Sequence, residues 1–179
     1  MSCPDSSVIY PNLDEHGELI SYQRRWLDLG YRKIITKGKR VPTLLYNERS
    51  QLPGLLVLVE DFVSYMRVAE QYNCLCLWGT SFPNISDFLA KNKQFSQFIV
   101  WLDNDEQKQI NSGQIAAKKI CNNLDYTLSY IHRGRSFQTP DWGVHNLATE
   151  HDPKQYVDSE IRQFIEGVIH ASIKQPNAS

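Results

Sequence analysis

Acidic side chains directly follow two strongly apolar stretches in the middle of the 179-residue chain. Leu55–Val59 ends on Glu60, and Phe98–Leu102 is followed by Asp103 and Asp105. Carboxylates brought to one place repel one another unless they share a cation, and carboxylate oxygens are the ligands that Mg²⁺ prefers. We therefore predict a divalent metal site made by Glu60, Asp103 and Asp105. The alternative is that these acids only cap helices or lie in solvated loops.

The apolar stretches themselves predict the structure that would position these acids. A third stretch, Cys74–Trp78, ends on the turn Gly79-Thr80-Ser81, and unbroken apolar stretches of this length are typical of parallel strands buried on both faces. Ligands of such sheets bind beyond the carboxyl ends of the strands, so the residues that follow all three stretches should converge. The Gly-Thr-Ser turn either offers backbone N–H groups to a phosphate at a helix start or is a plain turn.

Helical apolar spacing between and after these stretches completes an α/β pattern. We predict helices after Glu60 and after Asn84, with Asn84 as a cap, and we predict Tyr126–Ile131 as a fourth strand. The fold class is therefore α/β, with a central, mainly parallel four-stranded sheet flanked by helices. Three further predictions are a helix over Gly113–Leu124, a weak strand over Val144–Thr149 and a closing helix over Asp158–Ile173.

The N-terminal part of the chain predicts a small, basic, mixed β lobe. Residues 1–11 suggest a loose terminus, and a β-hairpin follows whose turn is His16-Gly17, where glycine accepts a positive φ. Residues 24–40 contain seven basic residues and one acidic residue, although the whole chain has a net charge of −1. Such a local patch favours a polyanionic partner, with a merely solvated face as the alternative.

Turn-forming residues and composition limit the domain boundaries and the class of protein. Pro53-Gly54 marks a boundary between the N-terminal basic lobe, residues 1–53, and the sheet domain, residues 54–175. Two of the four cysteines, Cys74 and Cys76, alternate with leucines and are predicted to be small core residues rather than zinc ligands. No apolar stretch approaches the roughly eighteen residues needed to cross a bilayer. The N-terminus has no signal-peptide pattern, so we expect a cytoplasmic protein.

Three motifs stand in order along the chain: Val59-Glu60-Asp61, Leu77-Trp78-Gly79-Thr80-Ser81 and Val100-Trp101-Leu102-Asp103-Asn104-Asp105. This arrangement resembles a Toprim domain, in the form found in bacterial and phage DNA primases, and the resemblance extends over residues 12–165. It implies that Glu60, Asp103 and Asp105 are catalytic and bind Mg²⁺ or Mn²⁺. The resemblance also implies contacts to nucleotide phosphates or template from Arg25, Lys33, Lys37, Gly79, Thr80 and Ser81.

The chain departs from the pattern of that family at two positions. A glycine normally follows the second aspartate closely, whereas Gly113 comes eight residues after Asp105, which indicates an extended metal loop. Many bacterial primases have an aspartate where this chain has Ser64. Near the C-terminus, the Thr149–Lys154 segment resembles the end of phage primase Toprim domains. Asp152 in that segment is either a further acidic group or part of an Asp-Pro turn.

The resemblance implies a primase-like nucleotidyltransferase core that makes short RNA primers on single-stranded DNA from nucleoside triphosphates. DNA replication in a phage or mobile element would be its setting. The sequence contains neither a zinc-binding module nor the phosphate loop of a helicase, so a helicase or a zinc-binding replication protein is an expected partner. Two alternatives remain: a metal-dependent Toprim nuclease, and a non-catalytic module that binds nucleic acid during replication.

Overall fold

The computed structural model describes residues 7–14, 16–26, 34–104, 109–132 and 142–173. Its first sheet is antiparallel and contains β1 (Ser7–Leu13), β2 (Leu19–Trp26) and β3 (Ile34–Gly38), in that order. The hairpin turn at His16-Gly17 is confirmed, with Gly17 at a φ of 84°, which suits glycine. The prediction of a loose terminus through residue 11 was wrong, because β1 pairs with β2 from Ser7 onwards.

A second sheet contains five strands: β4 (Thr43–Leu45), β5 (Leu55–Val59), β6 (Asn73–Cys76), β7 (Gln97–Trp101) and β8 (Gly143–Asn146). Their order is β4-β6-β5-β7-β8. All neighbouring pairs are parallel except β4 with β6. The α/β class with a mainly parallel sheet is confirmed, and all three apolar stretches form strands. The sheet has five strands rather than four because β4 adds an antiparallel strand at one edge.

The segment Tyr126–Ile131 was predicted as a strand, but it belongs to the helix α3 (Ser112–Ile131). The buried stripe of this helix continues into the segment through Leu124 and Leu128. This four-residue spacing outweighs the strand propensity of the tyrosine and threonine residues between them. The fourth parallel strand is instead β8, in the region of the weaker prediction over Val144–Thr149.

Helices cover both faces of the five-stranded sheet: α1 (Phe62–Ala69), α2 (Ile85–Lys91), α3 and α4 (Asp158–Ile173). The bounds of α4 are those predicted. Val57 and Val59 of β5 pack in one cluster with residues of α1 and α4, and Leu56 and Leu58 pack in a second cluster with residues of α2 and α3. All four are fully buried. A charged side chain inside β5 would therefore carry a large desolvation cost, so charge is placed beyond the strand end.

Two local predictions concern β6 and the start of α2. Cys74 and Cys76 are fully buried in β6, as predicted, and neither forms a disulfide. Asn84 stands immediately before α2, as predicted, but it has a left-handed φ of 56° and its side chain makes no capping hydrogen bond. The helix therefore begins at the predicted place without the predicted cap. Among the described residues, no helix is long and apolar enough to cross a membrane.

Candidate active site

Glu60 and Asp103 lie at the same edge of the five-stranded sheet, which we call the acidic edge. β5 and β7 are adjacent and parallel, with Val59 opposite Trp101, so the residues that follow the two strands emerge together. Both acidic side chains are partly exposed. The convergence that was predicted for these two acids is therefore observed.

The Gly-Thr-Ser turn lies beside these acids. The backbone N–H of Gly79 donates to the carbonyl oxygen of Glu60 at 2.9 Å, while Thr80 is half-buried and Ser81 is exposed. Three residues separate Ser81 from Ile85, where α2 begins. The turn therefore follows the end of β6 and precedes α2 by three residues, and its contacts to phosphate stay a prediction.

Two predicted site residues, Asp105 and Lys33, lie outside the described residues, so their roles stay predictions. Among the residues that the structure describes, no group of three His, Cys, Asp or Glu side chains is arranged to hold a metal ion. Glu60 and Asp103 are the described members of the predicted set. A metal ion bound by them would complete its coordination with water, substrate or further ligands.

Asp61 forms an acidic cluster with Glu60, Asp103 and Asp152, although the sequence indicated only a helix start at Asp61. Its Oδ1 atom accepts hydrogen bonds from the backbone N–H groups of Val63 at 2.8 Å and Ser64 at 3.0 Å, which makes Asp61 the N-cap of α1. Its Oδ2 atom accepts a hydrogen bond from the Lys154 ammonium at 2.6 Å. The residue is only 3% exposed. Asp61 therefore joins the start of α1 to the C-terminal part of the chain.

Lys154 is a site residue that the sequence prediction missed. Its Nζ atom lies 2.6 Å from Asp61 Oδ2 and 2.7 Å from Asp152 Oδ2. Burial alone would lower the pKa of Lys154, but the charges of Asp61 and Asp103 raise that pKa above its ordinary value. The lysine therefore remains charged. The signal for it in the sequence was the resemblance of the Thr149–Lys154 segment to the end of phage primase domains.

The Asp103 carboxyl lies in a strongly unfavourable place for a negative charge. Burial raises the pKa of Asp103 to about 8. The nearby Lys154 opposes this shift, whereas the carboxylates of Glu60, Asp152 and Asp61 add to it. Ionisation of Asp103 is therefore costly, and a cation bound to it would relieve that cost.

The segment that follows Asp103 is held at both ends. The Asn104 side chain donates to the carbonyl oxygen of Thr149 at 2.9 Å and accepts a hydrogen bond from the Asn111 side chain at 2.7 Å. Gly113 packs directly on the carbonyl oxygen of Asp103, where any side chain would collide with it. Gly113 thus lets the start of α3 approach Asp103 despite the extended spacing in the sequence.

β2 of the three-stranded sheet contacts the start of α1. The buried Gln23 side chain accepts a hydrogen bond from the Phe62 N–H at 3.1 Å. Arg25 lies two residues further along β2, on the same face as Gln23. Lys37 lies opposite Tyr22 in β3, so it projects from the other face. Arg25 therefore lies on the face of its sheet that contacts α1, and Lys37 lies on the opposite face.

Arg40 brings another positive charge to the turn. Its Nη1 atom lies 2.6 Å from the position that a Cβ atom on Gly79 would occupy, so the guanidinium covers this glycine. Gly79 also has a φ of 151°, which L side chains rarely adopt. Arg40 was part of the basic segment in the sequence, but the spacing gave no reason to select it from its neighbours.

The chain matches no protein-family model, and no curated protein matches it in sequence. Solved structures of primases are similar to it. The Aquifex aeolicus primase, comprising zinc-binding and RNA polymerase domains, has a TM-score of 0.60 and 19% identity over 90% of this chain and 40% of that chain. A DnaG primase catalytic domain bound to single-stranded DNA has a TM-score of 0.59 and 17% identity, over 93% and 51%. The primase fragment of the bacteriophage T7 primase-helicase protein has a TM-score of 0.51 and 16% identity, over 94% and 62%.

This chain spans about half of the length of these primases, from 40% to 62%. At identities of 16% to 19%, the likeness concerns the fold. It agrees with the mainly parallel five-stranded sheet flanked by helices. The chain has the primase-type Toprim fold.

Proposed function

We propose that this chain is the catalytic core of a primase-like nucleotidyltransferase, which synthesises short RNA primers on single-stranded DNA from ribonucleoside triphosphates. The observation that carries the proposal is the placement of Glu60 and Asp103 at the ends of adjacent parallel strands within a primase-type fold. One fold can host many functions, so the proposal depends on the chemistry of this edge.

Glu60 and Asp103, together with Asp105 from the sequence, would hold Mg²⁺ or Mn²⁺. Carboxylate oxygens suit such hard cations, and a solvated ion can reach Glu60 and Asp103 because both are partly exposed. The surroundings that oppose ionisation of Asp103 also favour a cation beside it. When bound, such an ion neutralises charge on the triphosphate and makes the 3′-hydroxyl of the primer more acidic.

The basic and backbone groups around this edge would bind the nucleotide and the template. Arg25 lies on the face of β2 that contacts the start of α1, and its planar guanidinium can bind a phosphate through two donors. Arg40 adds positive charge over Gly79. Glu60 would hold metal or accept a proton from the attacking hydroxyl. Further contacts to the polyanion are proposed for Lys33, Lys37, Thr80 and Ser81.

Single-stranded DNA and nucleoside triphosphates are the proposed partners. One similar structure is a primase domain bound to single-stranded DNA, one comes from a primase-helicase protein, and one includes a zinc-binding domain. Because these similar structures include a zinc-binding domain and a fragment of a primase-helicase protein, we propose that a helicase or a zinc-binding replication protein acts with this chain. The proposed setting is phage or mobile-element replication in the host cytoplasm.

The test is to incubate the purified chain with single-stranded DNA, labelled ribonucleotides and Mg²⁺ or Mn²⁺. Asp103→Asn is assayed beside the wild type, and Asp87→Asn serves as the matched control because Asp87 is exposed on α2. We expect short labelled oligomers from the wild type and from Asp87→Asn, and none from Asp103→Asn.

Two other outcomes would contradict the proposal. Shortened DNA without new synthesis would instead establish the metal-dependent nuclease. DNA binding without any product, with either metal and with an added helicase, would establish a non-catalytic binding module.

A further inference from the structure

Lys154 occupies the interior of the acidic cluster rather than its rim. Its side chain is 13% exposed, and its Nζ atom lies 2.6 Å from Asp61 Oδ2 and 2.7 Å from Asp152 Oδ2. A charged group in contact with two carboxylates at such distances makes strong, charge-assisted hydrogen bonds. The ammonium therefore already lies where a cation shared by Asp61 and Asp152 would bind.

Asp61 has no oxygen to spare for a metal ion. Oδ1 accepts from two backbone N–H groups of α1, and Oδ2 accepts from the Lys154 ammonium and, at 3.4 Å, from the Ser64 hydroxyl. Transfer of Asp61 to a metal would remove the side-chain N-cap of α1 and so destabilise the start of that helix. It would also leave Lys154 with one fewer partner in a poorly solvated place. Asp61 is therefore a partner of Lys154 and not a metal ligand.

The residue next to this pair adds no charge. Ser64 is 1% exposed and lies on the first turn of α1, where its hydroxyl donates to Asp61 Oδ2. A carboxylate at position 64 would have increased the demand for a cation beside Asp61. With a serine there, the single positive charge of Lys154 compensates Asp61 and lies against Asp152. Glu60 and Asp103 are the described carboxylates of the predicted metal site, and neither is within the Lys154–Asp61–Asp152 contacts.

We propose that the ammonium of Lys154 takes the place of a second divalent ion, so that the acidic cluster holds one metal ion on the side of Glu60 and Asp103. This inference rests on the metal site of the proposed function. Lys154 supplies a charge that does not dissociate, whereas a second ion would have to be bound from solution. Dependence on the metal concentration should therefore follow a single binding step.

The test is to count the Mn²⁺ ions bound by the metal-free chain, using calorimetric titration and the electron paramagnetic resonance signal of free Mn²⁺. The wild type, Lys154→Asp, Lys154→Met and Asp103→Asn are compared with Lys93→Asp. Lys93 is the matched control because it is exposed and lies between α2 and the start of β7, away from the carboxyl ends of the strands. Circular dichroism selects the variants that fold.

We expect one ion per chain for the wild type and for Lys93→Asp, two for Lys154→Asp and for Lys154→Met, and none for Asp103→Asn. Two ions in the wild type would overturn this inference and leave the proposed function intact. One ion in whichever Lys154 variant folds would overturn the inference as well. No ion in the wild type would overturn the metal site on which the proposed function depends.

Discussion

The two sheets of this protein place their charged residues in different ways. The strands β5, β6 and β7 are almost wholly buried, so these central strands present charge beyond their ends, as Glu60 and Asp103. The three-stranded sheet is partly exposed and carries Arg24, Arg25 and Lys37 within its strands. A sheet buried on both faces thus suits a compact site for one ion. A half-exposed sheet suits contact with an extended polyanion.

The largest effect should come from the buried sheet. We expect Asp103→Asn to lower primer synthesis by about 1000-fold, because Asp103 would hold the metal ion that neutralises charge on the triphosphate, and such an ion is worth several kcal/mol of transition-state stabilisation. The variant should remain folded, since the side chain lies beyond the strand. Initial rates with Asp87→Asn beside it measure the effect. Wild-type turnover in Asp103→Asn would show that the acidic edge has no catalytic role.

Gly113→Ala should have the next largest effect. It tests whether the start of α3 packs against the backbone of Asp103. The new Cβ would collide with the carbonyl oxygen of Asp103, and overpacking of this kind costs about 1–3 kcal/mol in the free energy of unfolding. Gly167→Ala is the matched control, because Gly167 lies in α4 with no atom near its Cβ position. It should gain about 0.5–1 kcal/mol from helix propensity. Urea unfolding of both variants checks this, and equal stabilities would contradict the proposed approach.

The electrostatic cost of Asp103 predicts a dependence of stability on pH in metal-free buffer. Its pKa is raised to about 8 in the folded protein, so the folded state holds a proton that the unfolded state has already lost. The contribution of Asp103 to the free energy of unfolding is therefore complete below the pKa of the unfolded state, and it is lost as the pH rises towards 8. The melting temperature of Asp103→Asn should exceed that of the wild type by several degrees, and the difference should be larger at pH 8.5 than at pH 5. Calorimetry at the two values measures the margin, and a margin that shrinks as the pH rises would contradict the raised pKa.

The smallest effects should come from the exposed sheet, and they should depend on the face. Arg25 projects from the face that contacts α1, whereas Lys37 projects from the other face. We expect Arg25→Ala to weaken binding of single-stranded DNA and to reduce the salt slope by about 0.7, the value for one lost phosphate contact. Lys37→Ala should change binding less. Fluorescence anisotropy over a salt titration compares them, and equal losses would mean that both faces contact DNA.

Much of the buried sheet could be predicted from the sequence, because burial on both faces leaves an unbroken apolar stretch. The positions of Glu60 and Asp103 followed from the ends of such stretches. The side from which Lys37 projects could not be predicted, since it depends on the register between β2 and β3. The Lys154–Asp61 ion pair joins residues 93 positions apart, and no local pattern encodes a contact of that separation.

The hydrogen bond between Asn104 and Asn111 has a consequence for divergence. This hydrogen bond, together with the packing of Gly113 on the Asp103 carbonyl, holds the residues on either side of the segment 105–110 close to each other. Doubling the length of a flexible loop adds only about 0.6 kcal/mol of closure entropy. Insertions after Asp105 can therefore accumulate over evolution, or be introduced by engineering, without displacing the backbone of Asp103.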